Sequence, residues 1–526
     1  MRLGKSGAMA GPFVVALGAG WWGARRGSLW RDEEVTWEVA QRSLGEIARL
    51  ADSVDAVHTA YYALMHLLFL ADPDPGELTL RLPCVLATAV TAALIGAIGT
   101  SPLPADSRRT RPPAPRTGLW AGLVYALTPF VTRYAQEGRS YALVACLVAL
   151  ATLLLARGRW AGYAFALGAA CVLHLFAVLV VPAHLTALLL RGAGRAVLLR
   201  WAAGAAAAVT ATVPLALLCR GQSAQIGWLT RPDARDAGAL VQAFAGPAPA
   251  VLAVTLLLAA VALTRPRDPL TALAAPLALL PPALLLAVSQ LHPLYFDRYV
   301  LYSLAGLPLL AAAGLDRLLP AELPFAALVG TALAALGLFA QLGVHERLRT
   351  PASRADDLAA VARSARHLIG RGDAVLYLPD HSRRVALAYP RRFAAAVDAG
   401  LDRTGAASGT LYGTETGRAE LARRLAGQRR VWAVRTGPAT RRGYTPVTAA
   451  ERAKTALLRE EYADTARYRV GAAVLQLYVR KPDRRPDRRP RPQPDRTPGR
   501  EAGRTPDPDP DRRPVPKSAR APVSRG

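Results

Sequence analysis

Residues 251–263 read VLAVTLLLAAVAL, a run without a single charged side chain. Similar apolar runs recur along the chain as far as Leu342, and the charges lie between them or near the C-terminus. Of the 526 residues, 52% are hydrophobic and 20% charged, and the formal net charge is +27. A bilayer is crossed by about 17–25 apolar residues. This pattern excludes an ordinary soluble enzyme and predicts a polytopic α-helical membrane protein.

Eleven runs are predicted to cross the membrane. They are Ala8–Trp22, Leu82–Thr100, Gly118–Val131, Tyr141–Ala156, Trp160–His174, Phe176–Leu190, Trp201–Leu218, Ala250–Leu263, Pro269–Ser289, Tyr299–Leu315 and Leu323–Leu342. A further run, Val57–Leu70, is shorter. Arginine clusters mark cytoplasmic loops. All the clusters of this chain lie on the cytoplasmic side on one condition, which is that Val57–Leu70 does not cross the membrane. We therefore expect a juxtamembrane or re-entrant helix there, with the residues after Gln341 outside the cytoplasm. The clusters begin at Arg108, Arg157, Arg191 and Arg265.

The basic excess does not indicate nucleic-acid binding. Of 65 basic residues only four are lysine, and no basic face is interleaved with aromatic side chains. In a membrane protein such a balance is typical of cytoplasmic loops and of contacts with anionic lipids. The four cysteines all lie in apolar runs without a CxxC spacing, so they predict neither a disulfide framework nor a metal site.

The topology places three polar segments on the outer face. They are Arg31–Glu34, Tyr134–Arg139 and His292–Tyr299. The long loop between Arg220 and Gly246 falls on the same side. Polar groups gathered at one membrane interface predict an active site there, in a multi-pass protein of the plasma membrane.

The first outer segment carries three successive carboxylates, Asp32, Glu33 and Glu34. Mutual repulsion and lost hydration would raise the pKa of one of them and suit it to act as a general base. Alternatively, the cluster is a solvated helix N-terminus, where the helix dipole favours carboxylates. Glu137 follows a predicted span and lies near Arg139. A carboxylate that loses its hydration at the membrane boundary is more often functional than part of a simple interfacial ion pair, so we favour a functional role for Glu137.

Other side chains of the outer face have two interpretations each. Arg298 either binds a phosphate through its fork of donors or extends to the interface from a helix end. His58, which follows the acidic loop, is a better candidate than His174 or His184, for which we expect buried rings with satisfied nitrogens. Trp228 is expected to be an interfacial anchor rather than part of a substrate groove.

The C-terminal third changes character. Residues 351–480 predict an α/β domain outside the cytoplasm, after a membrane domain over 1–345. Its predicted elements are helices at Asp356–Ile369 and Ala419–Leu425, and strands at Ala374–Leu378, Val431–Val434 and Ala472–Val479. No GxGxxG motif follows a strand, so no nucleotide fold is predicted. Residues 481–526 are rich in proline and arginine without an aromatic residue, which predicts a disordered tail.

Five short motifs, taken in order, resemble the membrane glycosyltransferases of the GT-C superfold, specifically the protein-mannosyltransferase-like group, glycosyltransferase family 39. The motifs cover roughly the first 345 residues. They are Trp30-Arg31-Asp32-Glu33, His58-Thr59-Ala60-Tyr61-Tyr62, Arg81-Leu82-Pro83, Tyr134-Ala135-Gln136-Glu137-Gly138-Arg139 with the following Ser140–Leu143, and Arg298-Tyr299. The C-terminal α/β region lies outside this resemblance.

The resemblance implies roles for particular residues. Asp32 would be the base on the acceptor hydroxyl, with Glu33 beside it, and Glu137 would be the second acidic residue. Arg139 or Arg298 would bind the lipid phosphate, and Tyr134, His58 and Tyr299 would line the donor site. The family's His-Pro-Pro-Leu-Tyr-Tyr stretch departs to His58-Thr59-Ala60-Tyr61-Tyr62 here, which leaves open whether His58 has any role in binding phosphate or a divalent metal.

The predicted reaction moves a sugar, with mannose favoured, from a polyprenyl phosphate to an acceptor hydroxyl with inversion. The acceptor is a protein, a lipid or a wall polymer. No cofactor is required by the sequence, and a divalent metal is left open. The alternatives are a transporter or flippase of a lipid-linked substrate, which would have ionisable residues at mid-bilayer or inverted repeats, and a membrane scaffold without catalysis.

Overall fold

The computed structural model describes residues 5–101, 114–320, 325–354 and 356–482. The described part of Met1–Lys481 forms one compact unit. The predicted tail, from residue 483 onwards, lies outside the described residues, as do the basic residues Arg108, Arg109 and Arg111.

Sixteen α-helices make up the described part of the first 350 residues. They are α1 Lys5–Trp21, α2 Arg31–Ala40, α3 Leu44–Ser53, α4 Thr59–Leu70, α5 Glu77–Ile98, α6 Pro115–Ala126, α7 Pro129–Ala135, α8 Tyr141–Ala156, α9 Trp160–Leu173, α10 Val180–Leu190, α11 Arg195–Arg220, α12 Ala234–Ala245, α13 Pro249–Leu263, α14 Pro269–Val288, α15 Gly306–Leu318 and α16 Ala326–Leu348. Short 3-10 helices lie at Ala56–His58, Leu175–Leu179, Ser223–Ile226 and Asp297–Ala305. The chain is therefore a mostly helical protein with a small sheet.

Five helical segments in the described residues are long and apolar enough to span a membrane: α5, α11, α14, α16 and Asp297–Leu318. The pair α12 and α13 passes the same test as one span, but it is bent by 87°. Others, such as Tyr141–Ala156 and Trp160–Leu173, are apolar but shorter. The helices support a multi-pass membrane protein, while the number of eleven crossings stays a prediction.

One predicted span is broken in the structure. Gly118–Val131 was expected to be continuous, yet α6 ends at Ala126 and α7 begins at Pro129. Pro129 has no N–H to continue the ladder, and it forces the preceding Thr128 into an extended conformation. The break matters because α7 delivers the segment from Gln136 to Ser140 to a buried position.

Three short helices, α2, α3 and α4, lie at one end of the bundle, which we call the site end. A capping box starts α3: the Ser43 amide donates to Glu46 Oε2 at 2.9 Å, and the Glu46 amide donates to Ser43 Oγ at 3.3 Å. The apolar face of α3 buries Ile47 and Leu50. Helix α4 has 12 residues and follows His58 directly.

The α/β unit, which we define as residues 356–482, carries a five-stranded mixed sheet. Its strands are β1 Ala374–Leu378, β2 Val397–Asp398, β5 Arg430–Thr436, β6 Tyr462–Val470 and β7 Ala473–Arg480, in the order β2-β1-β5-β7-β6. The strands β2, β1 and β5 are parallel, and β7 is antiparallel to β5 and to β6. All five predicted elements are present, with ends that differ from the prediction by at most two residues. The elements are α17 Leu358–Leu368, β1 Ala374–Leu378, α18 Arg384–Ala388, α19 Pro390–Phe393, β2 Val397–Asp398, β3 Leu401–Arg403, α20 Gly405–Ser408, β4 Thr414–Glu415, α21 Arg418–Leu425, β5 Arg430–Thr436, α22 Ala449–Glu461, β6 Tyr462–Val470 and β7 Ala473–Arg480.

The α/β unit packs directly against the site end. One hydrophobic core contains Val35 of α2 and Ile47 of α3 together with Val361 of α17 and Trp432 of β5. The Tyr389 hydroxyl accepts from the Leu29 amide at 3.2 Å, among other polar contacts between the two parts. The α/β unit therefore forms part of the surroundings of α2, where the first acidic segment lies.

Candidate active site

The first acidic segment opens α2, and only Asp32 of its three carboxylates stays partly accessible. The Asp32 side chain is 19% exposed, whereas Glu33 and Glu34 are buried. Asp32 Oδ2 accepts from Arg298 Nη2 at 2.9 Å. Asp32 Oδ1 makes no hydrogen bond to a described residue, and Arg31 Nε lies 3.8 Å from it. Asp32 is therefore oriented through one oxygen and open at the other.

Two buried arginines flank Asp32. Arg139 Nη1 donates to the backbone carbonyl of Asp32 at 3.3 Å and to the Tyr62 hydroxyl at 3.2 Å. Arg298 Nε donates to the Tyr141 hydroxyl at 3.0 Å, and its guanidinium lies 4.2 Å from the centre of the Phe296 ring. Both residues are buried, Arg139 at 5% and Arg298 at 7% exposure. The two buried arginines thus both contact Asp32, and Asp55 accepts a hydrogen bond from the Tyr62 hydroxyl on the far side of Arg139.

Two buried histidines extend this arrangement. The His58 ring lies 6.1 Å from the Tyr62 ring, and the His174 ring lies 5.6 Å from the Tyr141 ring. Contacts thus run from His58 through Tyr62, Arg139, Asp32, Arg298 and Tyr141 to His174. We call these seven residues the Asp32 ring.

Several nitrogens of the Asp32 ring have no hydrogen-bond partner among the described residues. They are His58 Nδ1, Arg139 Nε and both ring nitrogens of His174. All three residues are more than 90% buried, and an unpaired buried polar group costs about 1–3 kcal/mol. We expected the ring nitrogens of both His174 and His184 to be hydrogen-bonded. This expectation is wrong for His174, and it holds for His184, whose Nε2 lies 3.0 Å from Thr152 Oγ1.

Glu33 is enclosed and fully paired. Arg81 of α5 donates to both carboxylate oxygens at 2.8 Å, and the Gly138 amide donates to Oε1 at 2.9 Å. Burial raises the pKa of Glu33, but the charge and hydrogen bonds of Arg81 outweigh this and hold the pKa below its usual range. Glu33 links α2, α5 and the segment before α8, and so fixes the geometry of the site.

Glu34 is buried and poorly paired. It is 1% exposed, and its Oε2 has no hydrogen-bond partner among the described residues. Burial raises the pKa of Glu34 well above its usual range, against a smaller opposing effect of Arg384 from the α/β unit. The raised pKa expected within the acidic segment thus falls on Glu34, a residue turned towards the α/β unit.

Glu137 is buried completely, and two arginines approach the same oxygen. Arg133 Nε lies 3.4 Å from Glu137 Oε1, and Arg354 Nη1 donates to that oxygen as well. Glu137 Oε2 has no hydrogen-bond partner in the described part of the chain. Glu137 therefore resembles Asp32 in having one oxygen held by arginine and the other unpaired.

The two tyrosines named by the sequence lie beside these groups. The Tyr134 hydroxyl is 3.5 Å from Asp297 Oδ1. The Tyr299 ring lies 5.1 Å from the His174 ring and stacks on Phe176 at 5.4 Å. All eight site residues predicted from the sequence thus lie at the site end. Glu33 is the one that forms an internal ion pair, with Arg81.

Neither the acidic residues nor the histidines form a metal centre in the described residues. No group of three or more His, Cys, Asp or Glu side chains in that part of the chain is placed to hold a metal ion. Glu33 and Glu137 are bound by arginines instead. This donor set does not fit a divalent metal.

Trp228 lines a cavity of about 290 Å³ rather than standing alone at the interface. The Trp228 ring lies 5.7 Å from the Phe296 ring, and the Arg31 guanidinium lies 6.0 Å from the centre of the Trp228 ring. Asp297 lines the same cavity. Since Phe296 stacks on Arg298, this cavity adjoins the Asp32 ring.

Comparison with known proteins gives a likeness in fold. No protein-family model and no curated protein matches the sequence. A crystal structure of ArnT from Cupriavidus metallidurans in the apo state has a TM-score of 0.55 at 14% identity, covering 88% of this chain and 97% of that one. The chain has the fold of ArnT. ArnT bound to undecaprenyl phosphate gives a TM-score of 0.52 with the same identity and coverage.

The ArnT likeness supports the GT-C fold predicted from the sequence, and not glycosyltransferase family 39 in particular. It covers 88% of the chain. Residues 1–350 are about two thirds of the 526, so the likeness must extend into the α/β unit, beyond the region to which the sequence resemblance was limited.

Sequence reasoning missed three contributors to the site. Tyr141 belongs to the motif that contains Glu137 but receives no role from the sequence, His174 is predicted to be a core histidine, and Arg354 lies beyond the last predicted span. Two of the three gave a signal: Tyr141 through that motif, and His174 through its place at the outer end of an apolar run, where a ligand can reach it.

Proposed function

We propose that this protein is a membrane glycosyltransferase that moves a sugar from a polyprenyl phosphate to an acceptor hydroxyl. The supporting observation is the Asp32 ring: one accessible carboxylate between two buried arginines, with four buried nitrogens lacking partners. An anionic ligand with several acceptor oxygens satisfies such a set, and a phosphate is the simplest one. The fold likeness to ArnT, one structure of which is bound to undecaprenyl phosphate, supports the same class of donor.

In the proposed reaction, Asp32 Oδ1 accepts the proton of the acceptor hydroxyl as its oxygen attacks the anomeric carbon. The bond between that carbon and the phosphate oxygen breaks, and its electron pair leaves with the phosphate. The sugar is thereby transferred with inversion. Arg298 holds Oδ2, which orients the carboxylate, and Arg139 and Arg298 stabilise the negative charge on the leaving phosphate.

The remaining site residues bind the donor. His58 and His174 each donate one hydrogen bond to the phosphate from a ring N–H. Tyr299 and Tyr134 line the site, and Glu137 Oε2 accepts a hydrogen bond from a substrate hydroxyl. Glu33 acts through its ion pair with Arg81, which fixes α2, rather than in proton transfer.

Mannose is the sugar favoured by the sequence resemblance, and the acceptor is a protein, a lipid or a wall polymer. The site opens to the extracytoplasmic side of the plasma membrane in this proposal, together with the α/β unit. A lipid-linked donor suits that side, because it reaches the site within the membrane.

The test is a transfer assay in membranes supplied with radiolabelled polyprenyl-phosphate mannose and, in parallel, glucose. Asp32→Asn keeps the shape and one acceptor oxygen of Asp32 but removes the base. We expect its transfer rate to fall by about 10²- to 10⁴-fold. Asp52→Asn is the matched control, because Asp52 is an exposed carboxylate on α3. Transfer by Asp32→Asn at the parental rate contradicts the assignment of the base.

A further inference from the structure

A connector, which we define as residues 349–354, follows α16 and precedes the α/β unit, and it contacts the candidate site at Glu137. Its first residue is firmly anchored. Arg349 Nε donates to the Trp22 carbonyl at 2.6 Å, and Arg349 Nη2 donates to the Ala19 carbonyl at 2.8 Å. These bonds cap the C-terminus of α1. The connector therefore begins at a fixed point of the membrane domain.

The connector is also held further along. Ser353 Oγ donates to the Leu348 carbonyl at 2.9 Å and to the Thr350 carbonyl at 2.7 Å, which closes a tight turn. Beyond the connector, the Ala359 amide donates to Ser28 Oγ, in the loop before α2, at 2.9 Å. Arg354 thus lies between two anchors, and its backbone is positioned before any substrate binds.

The side chain of Arg354 enters the site. It is 6% exposed, and it pairs with Glu137 Oε1, which is fully buried. Arg354 Nη2 lies 3.4 Å from the Gln136 carbonyl, and the guanidinium lies 5.8 Å from the Trp30 ring. The same Trp30 ring lies 5.5 Å from Arg298, which binds Asp32. Trp30 therefore lies between Arg354 and the arginine that orients the proposed base.

Arg354 is the better placed of the two arginines at Glu137. Arg133 is 36% exposed and belongs to the helical turn just before Glu137, whereas Arg354 comes from the connector and is buried. A buried carboxylate is held in one orientation only by a geometrically good, desolvated partner. With Oε1 occupied by Arg354, Glu137 Oε2 is directed away from the pair and stays unpaired.

We propose that Arg354 is a positioning residue, which makes the connector to the α/β unit a required part of the active site by orienting Glu137 for substrate. This inference rests on the proposed glycosyl transfer. Arg354 acts on the reaction only through Glu137. Removing either residue should therefore have the same kinetic consequence, and removing both should cost little more than removing one.

The experiment measures kcat and KM for the lipid-linked donor in full-length Arg354→Gln, Glu137→Gln and the double variant. A misplaced group costs about 100-fold in rate, so we expect each single variant to lose about 10- to 100-fold in kcat/KM. Both should divide the loss between kcat and KM in the same way. The double variant should stay within about threefold of Glu137→Gln, because the two residues act as one unit.

Arg391→Gln is the matched control. Arg391 also joins the α/β unit to the membrane domain, through Asp74 at 3.2 Å, but both side chains are at least 81% exposed. We expect parental kinetics from it. Arg354→Lys keeps the charge and should recover part of the activity; equal folding of all variants is checked by thermal unfolding.

Two results overturn the inference alone: Arg354→Gln with parental kinetics, or losses that multiply in the double variant. If Arg354→Gln does not fold, Arg354→Lys decides, and a folded Arg354→Lys with activity above the Glu137→Gln level supports the inference. A folded Arg354→Lys no more active than Glu137→Gln contradicts positioning by charge. A parent protein without transfer from any lipid-linked sugar removes the proposed function and this inference together.

Discussion

Replacing Glu33 with glutamine separates a structural ion pair from a catalytic base. Arg81 uses all five of its guanidinium donors: two to Glu33 and three to carbonyls between Ala24 and Ser28. The Arg81 and Glu33 side chains are 1% and 0% exposed. Glu33→Gln keeps the shape and one acceptor, but it leaves the buried charge of Arg81 without its main partner.

The cost can be estimated from this geometry. Breaking a buried ion pair by removing one charge costs about 3–5 kcal/mol. Glu77 Oε2 lies 3.7 Å from Arg81 Nη1 and stays as a weaker counter-charge, so we expect the lower end of that range, about 3 kcal/mol. The exposed pair of Asp74 and Arg391 provides the comparison, since exposed pairs contribute about 0–1 kcal/mol.

The assay follows unfolding of the purified protein in mixed micelles by tryptophan fluorescence, together with the transfer rate of the fraction that remains folded. We expect Glu33→Gln to unfold at a clearly lower denaturant concentration, Asp74→Asn to match the parent, and folded Glu33→Gln to transfer sugar within about tenfold of the parental rate. A Glu33→Gln protein as stable as the parent but without transfer would show that Glu33 is catalytic and would refute our reasoning.

Three further predictions follow from individual contacts. Burial raises the pKa of Glu34 above its unfolded value, so its contribution to stability is present below about pH 4.5 and is lost as the pH rises from there. Glu34→Gln should therefore lose less stability than the parent as the pH is raised above about 4.5, measured by thermal unfolding. His174→Phe should lower transfer but not the unfolding temperature, whereas His184→Phe should lower the unfolding temperature, because only His184 has hydrogen-bond partners to lose. Gly314→Ala should destabilise the fold by about 1–3 kcal/mol, since the added carbon would overlap the Leu258 carbonyl, while Gly337→Ala, which meets no atom within 4 Å, should not.

Much of the membrane fold could be predicted because its signals are local. A long apolar run such as Pro269–Ser289 is a helix wherever it lies, and α14 covers it almost completely. The break at Pro129 could also have been read from the missing N–H of proline. The run Gly118–Val131 is apolar throughout, and a hydropathy average does not register the loss of a single hydrogen bond. The helix break at Pro129 was therefore not predicted.

The site was harder to predict, because its pairings join residues far apart in the chain. Asp32 and Arg298 were both named, but nothing local indicates that they meet at 2.9 Å. The roles of Glu33 and Glu34 could not be separated from sequence, since they depend on what α5 and the α/β unit place against each carboxylate. Arg354 had no local signal at all.

The proposed function is tested most directly by mass analysis of lipids, protein glycans and wall polymers from a deletion strain. The strain is compared after complementation with the parent gene, Asp32→Asn or Asp52→Asn. We predict that one glycan class loses a hexose in the deletion strain, and that the parent and Asp52→Asn restore it while Asp32→Asn does not. An unchanged glycan profile in the deletion strain, or full restoration by Asp32→Asn, would contradict the account.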